Sequence, residues 1–149
     1  MSTALPESGS SGIGSVSWLA LTPGRRDLRS NNSWMHNVPS LVSGAERCLL
    51  FLHPKDAAER GIGDGEMVVM ESRVHRAAVR VQLTEDIAPG VVSLPHGWGH
   101  AASAKWQRVA SKHPGVSVND WTDESIVEGV VGQSILNGVP VRVSAMRPA

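Results

Sequence analysis

Apolar and polar positions along the chain form short runs, and these runs set the first reading. Val16–Leu21 is rich in apolar residues, and Cys48–Leu52 is continuously apolar, as in a buried strand. Met67–Met70 is a third apolar run. Ala77, Val79, Val81 and Leu83 then alternate with Ala78, Arg80 and Gln82, the period-two pattern of a half-buried strand. Val91–Leu94 is a further strand, and Val139, Val141 and Val143 alternate once more near the C-terminus. Between them, Pro54–Arg60 has Pro in a first turn, alanines inside and Gly61 as a stop, which predicts a short helix. Thr84–Ala88 is expected to make one helical turn, ended by Pro89-Gly90, and Thr22–Pro39 to be irregular and polar. Short strands with few helices predict a mostly-β barrel or sandwich.

Composition narrows this. A chain of 149 residues has room for one core. Residues 1–14 are small, polar and Gly/Ser-rich, a flexible N-terminal segment ahead of one β domain over residues 15–147. Fourteen basic residues balance fourteen acidic ones, so no global field recruits nucleic acid. No apolar run has membrane-spanning length, and Arg25-Arg26 follows rather than precedes an apolar stretch, the wrong order for an export signal. The single Cys48 excludes an internal disulfide framework and sits in an apolar run, where it reads as inert core. A cytoplasmic setting follows as the expectation.

Several motifs fail on context. Gly61-Ile62-Gly63-Asp64-Gly65 follows a helix and precedes a strand, the reverse of a dinucleotide fingerprint, and reads as a turn. His96 and His100 are four apart, but Pro95, Gly97 and Gly99 forbid the helix that would align them on a metal. No residue stands in a context that marks it as catalytic or as a metal ligand.

Three stretches carry more chemistry. Gly24 to Asn37 packs Arg25, Arg26, Ser33, His36 and Asn37 into one loop, with Trp34, Met35 and His36 as an apolar floor. Guanidinium forks suit phosphate oxygens, and Ser and Asn side chains suit heterocycle nitrogens and carbonyls. Arg29 pairing locally with Asp27 is the plainer reading of that one residue. Leu94 to His100 ends a strand with His96, Gly97, Trp98, Gly99 and His100, where glycines let backbone approach a ligand. Trp98 folded onto the core is an equally good account of that ring. Val118 to Thr122 places Asn119 and Asp120 at an Asx-type turn before a helix start, with capping as the strong alternative for Asp120.

In this order, these stretches resemble the C-terminal molybdopterin-dinucleotide-binding domain of the large molybdenum/tungsten oxidoreductases. That superfamily includes formate dehydrogenases, prokaryotic nitrate reductases and dimethyl-sulfoxide reductases. The most specific pieces are Arg25 to Asn37 and Val91 to His100; His53–Ser72 is similar to the family's recurring barrel element. The resemblance implies a double-psi β-barrel of the aspartate-decarboxylase-like kind with one to three short helices. It also implies a molybdopterin guanine dinucleotide cofactor, in its bis form, shared with domains this chain lacks. Carried over, Gly24, Arg25, Ser33, Trp34, Met35, His36 and Asn37 would line one dinucleotide. His96, Gly97, Trp98 and Gly99 would lie along the same groove, Asn119 would face the pterin, and Arg26 and His100 are carried over as further cofactor-binding residues. The family's catalytic chains are several times longer and include a metal ligand. The implied partner is therefore the remaining catalytic domains or subunit of an oxidoreductase, and the chain alone is not expected to be catalytic. A non-catalytic barrel adaptor, or the remnant of a split gene, is the competing reading.

Overall fold

The computed structural model describes residues 17–24, 33–101 and 106–146. The N-terminal segment 1–14 lies outside the described residues. Six strands, β1 (Leu19–Gly24), β2 (Leu49–Leu52), β3 (Met67–Glu71), β4 (Arg76–Leu83), β5 (Val91–Pro95) and β6 (Val139–Ala145), close into a barrel in the order β1-β5-β2-β4-β3-β6. Two pairs are parallel, β1·β5 and β2·β4; the other four are antiparallel. Exchanging β1-β2-β3 for β4-β5-β6 leaves every pairing unchanged. Such interleaved, pseudo-twofold halves make this a double-psi β-barrel.

The alternation read in β4 and β6 is what closes the barrel. Val79 and Val81, and Val139, Val141 and Val143, are buried, while Arg76, Ala78, Arg80 and Gln82 face out. Leu50, Leu52, Val68, Met70, Val92 and Leu94 complete the interior. Closure leaves no free sheet edge, so a short strand such as β2 is paired on both sides.

Two helices are present among the described residues, α1 (Pro39–Val42) and α2 (Pro54–Arg60). Helix α2 runs as its sequence dictates: the His53 ring accepts from the Lys55 N–H at its start, and Gly61 closes it in the left-handed region. Buried Asp56 ties it to the barrel by accepting the Gly90 N–H at 2.7 Å.

Three expectations change. The polar stretch from Thr22 is not wholly irregular. Pairing with β5 carries β1 through Thr22, Pro23 and Gly24, a 3-10 segment covers Ser33–Asn37, and α1 begins with Pro39 in its first turn. Thr84–Ala88 makes no helical turn: the Thr84 hydroxyl accepts the Asp86 N–H and donates to the Asp86 carboxylate, holding a tight turn. Val118–Trp121 is itself a 3-10 segment, and exposed Asp120 caps nothing; Thr122 closes it by donating its hydroxyl to the Asn119 carbonyl at 2.6 Å.

Trp121 joins that segment to the barrel. Its ring is fully buried, and its Nε1–H donates to the Met70 carbonyl at 3.1 Å. Trp121→Phe keeps an aromatic but strands a buried acceptor. We expect a loss of about 1–3 kcal/mol of unfolding free energy. Urea titration with an unchanged m-value is the check; a midpoint equal to wild type would show that water replaces the donor freely.

Candidate functional site

The site begins with strand direction. Because β1 and β5 are parallel and register Gly24 against Pro95, the two strands end side by side at one end of the barrel. Strand β2 runs antiparallel to β5, so the other parallel pair, β2·β4, delivers its own C-terminal ends to the opposite end. At Gly24 the two strands approach closely. A Cβ there would meet Ser93 Oγ at 2.9 Å and the Leu94–Pro95 backbone at 3.1 Å, so a side chain would wedge the exit apart.

Three rings meet at this end. His36, from the 3-10 segment after β1, stacks on Trp98 with centroids 4.0 Å apart. Its Nδ1 lies 2.6 Å from Nε2 of His100, and the two imidazoles cross edge to face. His36 is wholly buried, with His100 at 4% and Trp98 at 9% exposure. A nitrogen–nitrogen contact of this length is a hydrogen bond in which one ring donates and the other accepts, so at least one imidazole is neutral there. Burial lowers His100 below its ordinary value of 6.5, while a hydrogen bond with the Gln107 side chain works the other way.

The third stretch is pinned to the same place. The Gly99 and His100 amides both donate to the Pro114 carbonyl, at 2.8 and 2.9 Å. A Cβ on Gly99, whose φ is +107°, would lie 2.7 Å from the Ser117 Cβ. Asn119 comes two residues later, on the exposed side of its 3-10 segment. Asn37 has a structural tie: its Oδ1 accepts the Val109 and Ala110 N–H groups at 2.9 and 3.3 Å. That leaves its amide NH2 as the part able to donate elsewhere.

The expected residues therefore divide. His36, Trp98 and His100 are brought into contact, and Gly24, Asn37 and Gly99 hold the segments around them together. Met35, His96 and Gly97 are half-buried. Trp34 does not join an apolar floor: it is 60% exposed, and His36 and Trp98 form the apolar contact instead. Ser33 opens the 3-10 segment. Arg25 and Arg26 lie outside the described residues.

Some contributors went unread. A Cβ on Gly115 would sit 2.9 Å from Trp98 and 2.8 Å from the Cys48 sulfur, so this glycine makes room for the indole. Pro114 acts only through its carbonyl, which no residue pattern announces. Asp123, not Asp120, is the organising carboxylate near Asn119: it accepts from Arg73, the Ser125 N–H and the Ser125 hydroxyl. Those bonds, Ser125 first and Arg73 next, hold its pKa below the usual range. The spacing Asp-x-Ser was a legible turn signal; the Arg73 partner, 50 residues away, was not.

Cys48 matches its reading. It is buried, its sulfur lies 3.3 Å from the Val116 nitrogen, and burial pushes its pKa up to about 11. Among the described residues, no group of three His, Cys, Asp or Glu side chains is placed to hold a metal ion. The groups offered at this end are imidazole, indole, amide and backbone, suited to a heterocycle with hydrogen-bonding edges.

Residues 19–140 match the family described as the Molydopterin dinucleotide binding domain, and the chain belongs to that family. Among curated proteins, it is 39% identical over 47% of its length to a putative dimethyl sulfoxide reductase catalytic subunit of Halobacterium salinarum. It is 33% identical over 62% of its length to the arsenate respiratory reductase molybdopterin-containing subunit of Chrysiogenes arsenatis. A dimethyl sulfoxide/trimethylamine N-oxide reductase of Rhodobacter capsulatus is 31% identical over 64% of the chain. The matched regions are 8%, 11% and 12% of those relatives, so the chain corresponds to a small part of each. In structure it is similar to acetylene hydratase from Pelobacter acetylenicus, with a TM-score of 0.70 and 20% identity. That match covers 86% of this chain and 18% of the other. It agrees with the barrel derived from the pairings.

The buried imidazole pair sets a pH dependence. His100 has a folded pKa below 6.5, so between the two values the unfolded chain binds a proton that the folded chain does not. Its contribution is therefore complete above pH 6.5 and is lost as the pH falls through that window. We expect the urea midpoint to decline as the pH is lowered from about 7.5 to about 5.5, and His100→Gln to flatten that decline. Equal slopes in the two proteins would remove the buried neutral ring from the account.

Proposed function

We propose that the end of the barrel carrying His36, Trp98 and His100 is one wall of a site for molybdopterin guanine dinucleotide, in a bis arrangement completed by further oxidoreductase domains or a separate subunit. The observation that supports this reading most is the convergence of three separate stretches, 33–37, 96–100 and 114–119, on one ring cluster at one barrel end. The donor set fits a pterin dinucleotide, which offers a polar heterocycle and a pyrophosphate.

When bound, the group would supply the metal-centred redox chemistry. The chain's own residues bind and orient. In this reading, the Arg25 fork takes pyrophosphate oxygens, with Arg26 beside it. The Asn37 amide NH2, Ser33 and Asn119 donate to or accept from the heterocycle. Gly97 and Gly99 let the backbone approach it, and the stacked His36 and Trp98, backed by His100, keep that surface dry and fixed. Trp34, Met35 and His96 border it. None of these is a metal ligand or a catalytic residue in this proposal.

The remaining polypeptide is the implied partner, in line with the small share of each relative that the chain matches. We place the protein in the cytoplasm, on the strength of its lone, buried cysteine. No helix among the described residues is long and apolar enough to cross a membrane.

Two outcomes test the reading. Arg25→Ala in the assembled enzyme should weaken cofactor retention by about 1.5–3 kcal/mol, and Arg25→Lys should recover only part of that, since an ammonium lacks the fork. Full cofactor loading of the alanine variant would sink the pyrophosphate assignment. The chain purified alone should show no dye-linked turnover, because a single wall leaves most of a large dinucleotide in water while tight sites bury roughly 70–90% of a ligand. Stoichiometric metal with measurable turnover would make this small barrel a complete enzyme and overturn the shared-site reading.

A further inference from the structure

Strand direction roots a second feature at the barrel end that carries the rings. Strands β1 and β3 are both antiparallel to β6, so β3 runs with β1 and ends, at Glu71, on the side where β1 ends at Gly24. The chain between Trp121 and β6 is tied to that end at both of its feet. At the first, Arg73, just after β3, donates to the Asp123 carboxylate and, from Nη2, to the Ser125 hydroxyl at 3.0 Å. At the second, the Gly138 N–H donates to the Leu21 carbonyl and the Thr22 hydroxyl to Asn137 Oδ1, both at 2.9 Å.

Between these feet the chain folds on itself as a short arm. Val127 bridges Ser134 in antiparallel sense, the Glu128 N–H donates to the Gln133 carbonyl at 2.7 Å, and the Ile135 N–H donates to the Ile126 carbonyl at 3.3 Å. The Glu128 carboxylate accepts the Val131 and Val130 N–H groups, each at 2.8 Å, which fixes the tip and holds the Glu128 pKa below the usual carboxylate range. The backbone is thus ordered, yet Ile126, Val127, Val130, Val131, Ile135 and Leu136 are all exposed, Val130 at 89% and Val131 at 73%. An ordered cluster of apolar side chains left in water contributes nothing to the barrel core and marks a surface that another polypeptide covers.

We propose that this arm docks into an apolar groove of the oxidoreductase polypeptide that completes the cofactor site, with Val130 and Val131 as its buried tip. The proposal rests on the shared-site reading, which requires such a polypeptide at this end of the barrel. Position, size and charge select this occupant. The arm is rooted at the end that carries His36, Trp98 and His100, where the completing wall has to sit. The matched regions are 8%, 11% and 12% of the relatives, so most of each relative lies outside the part that this chain resembles. Residues 124–136 include Glu124 and Glu128 and no Lys or Arg, which disfavours an anionic lipid surface. A second copy meeting the arm tip to tip would set one Glu128 against another.

The test is hydrogen–deuterium exchange on the assembled enzyme and on the isolated chain. Amides of residues 126–136 should exchange at least tenfold more slowly in the assembly. The double variant Val130→Ser/Val131→Ser keeps both N–H donors to Glu128. It should leave the urea midpoint of the isolated chain unchanged while weakening its binding to the cofactor-free remaining polypeptide tenfold or more. Equal exchange in the two states, or unchanged binding by the variant, would overturn the docking. So would a dimer of the isolated chain in sedimentation equilibrium that the double variant dissolves, or a urea midpoint that falls in step with binding. Cofactor content is measured in the same samples. A protected arm in an assembly that holds no cofactor would count against the cofactor reading alone, and a retained cofactor with an unprotected arm against the docking alone.

Discussion

Everything at the candidate site depends on two strands running the same way. The parallel pairing of β1 with β5 sets Gly24 against Pro95 and thereby brings two strand ends, far apart in sequence, together as neighbours. An antiparallel pair would have put one exit at each end. The barrel's internal symmetry supplies a control. The equivalent pair β2·β4 delivers Leu52 and Leu83 together in the same way, yet these two strands lead into a capped helix and a threonine turn. One frame therefore offers two equivalent ends, and residue content alone makes one of them the candidate binding surface.

The ring cluster is tied together by its own contacts. His36 and His100 use each other as hydrogen-bond partners, Trp98 covers the His36 face, and the amides of Gly99 and His100 share one carbonyl. Burying imidazoles without such partners would cost roughly 1–3 kcal/mol each. With them, the rings are fixed by the fold itself, which in the proposed reading lowers the ordering cost of binding. Gly115 is the quiet condition for this: any side chain there would collide with Trp98 and displace it from His36.

Much of the barrel was legible because its strands obey simple periodicity. The alternation in Arg76–Leu83 and Val139–Ala145 marks inward and outward faces directly, and Pro54 with Gly61 brackets a helix. The features that pattern reading missed depend on partners distant in sequence or on side chains that compete with the helix. Thr22–Gly24 is strand only because β5 lies beside it, and Thr84 prefers its own side-chain turn to a helical one. At the site, the residue types of His36, Trp98 and His100 were readable and the family likeness implied a groove shared by their two stretches, but the His36–His100 hydrogen bond and the His36–Trp98 stack were not read. Trp34 was misjudged because an aromatic next to a buried His is not itself buried in a 3-10 segment, whose neighbours point in different directions. Asp123 was passed over for Asp120 because its partner Arg73 lies across the fold.

Charge placement makes the same division between frame and site. A formally neutral chain has no long-range field to steer an anionic cofactor, and at physiological salt single charges are screened within about 8 Å. Recognition must then rest on cations held at contact distance. Several arginines of the barrel body are engaged in structure: Arg60 donates to the Asp56 carbonyl and to Ser17, Arg73 to Asp123, and Arg80 to Glu46. Arg142 lies 4.2 Å over the Trp18 ring. These groups hold elements together and are poorly placed to spare a fork for a ligand. The sequence concentrates Arg25, Arg26 and Arg29 within five residues directly after β1. In the proposed reading, anion recognition falls to that short run and not to the arginines that tie the barrel together. Under that reading, substitution of Arg25 would alter binding while leaving the ties made by Arg60, Arg73 and Arg80 in place.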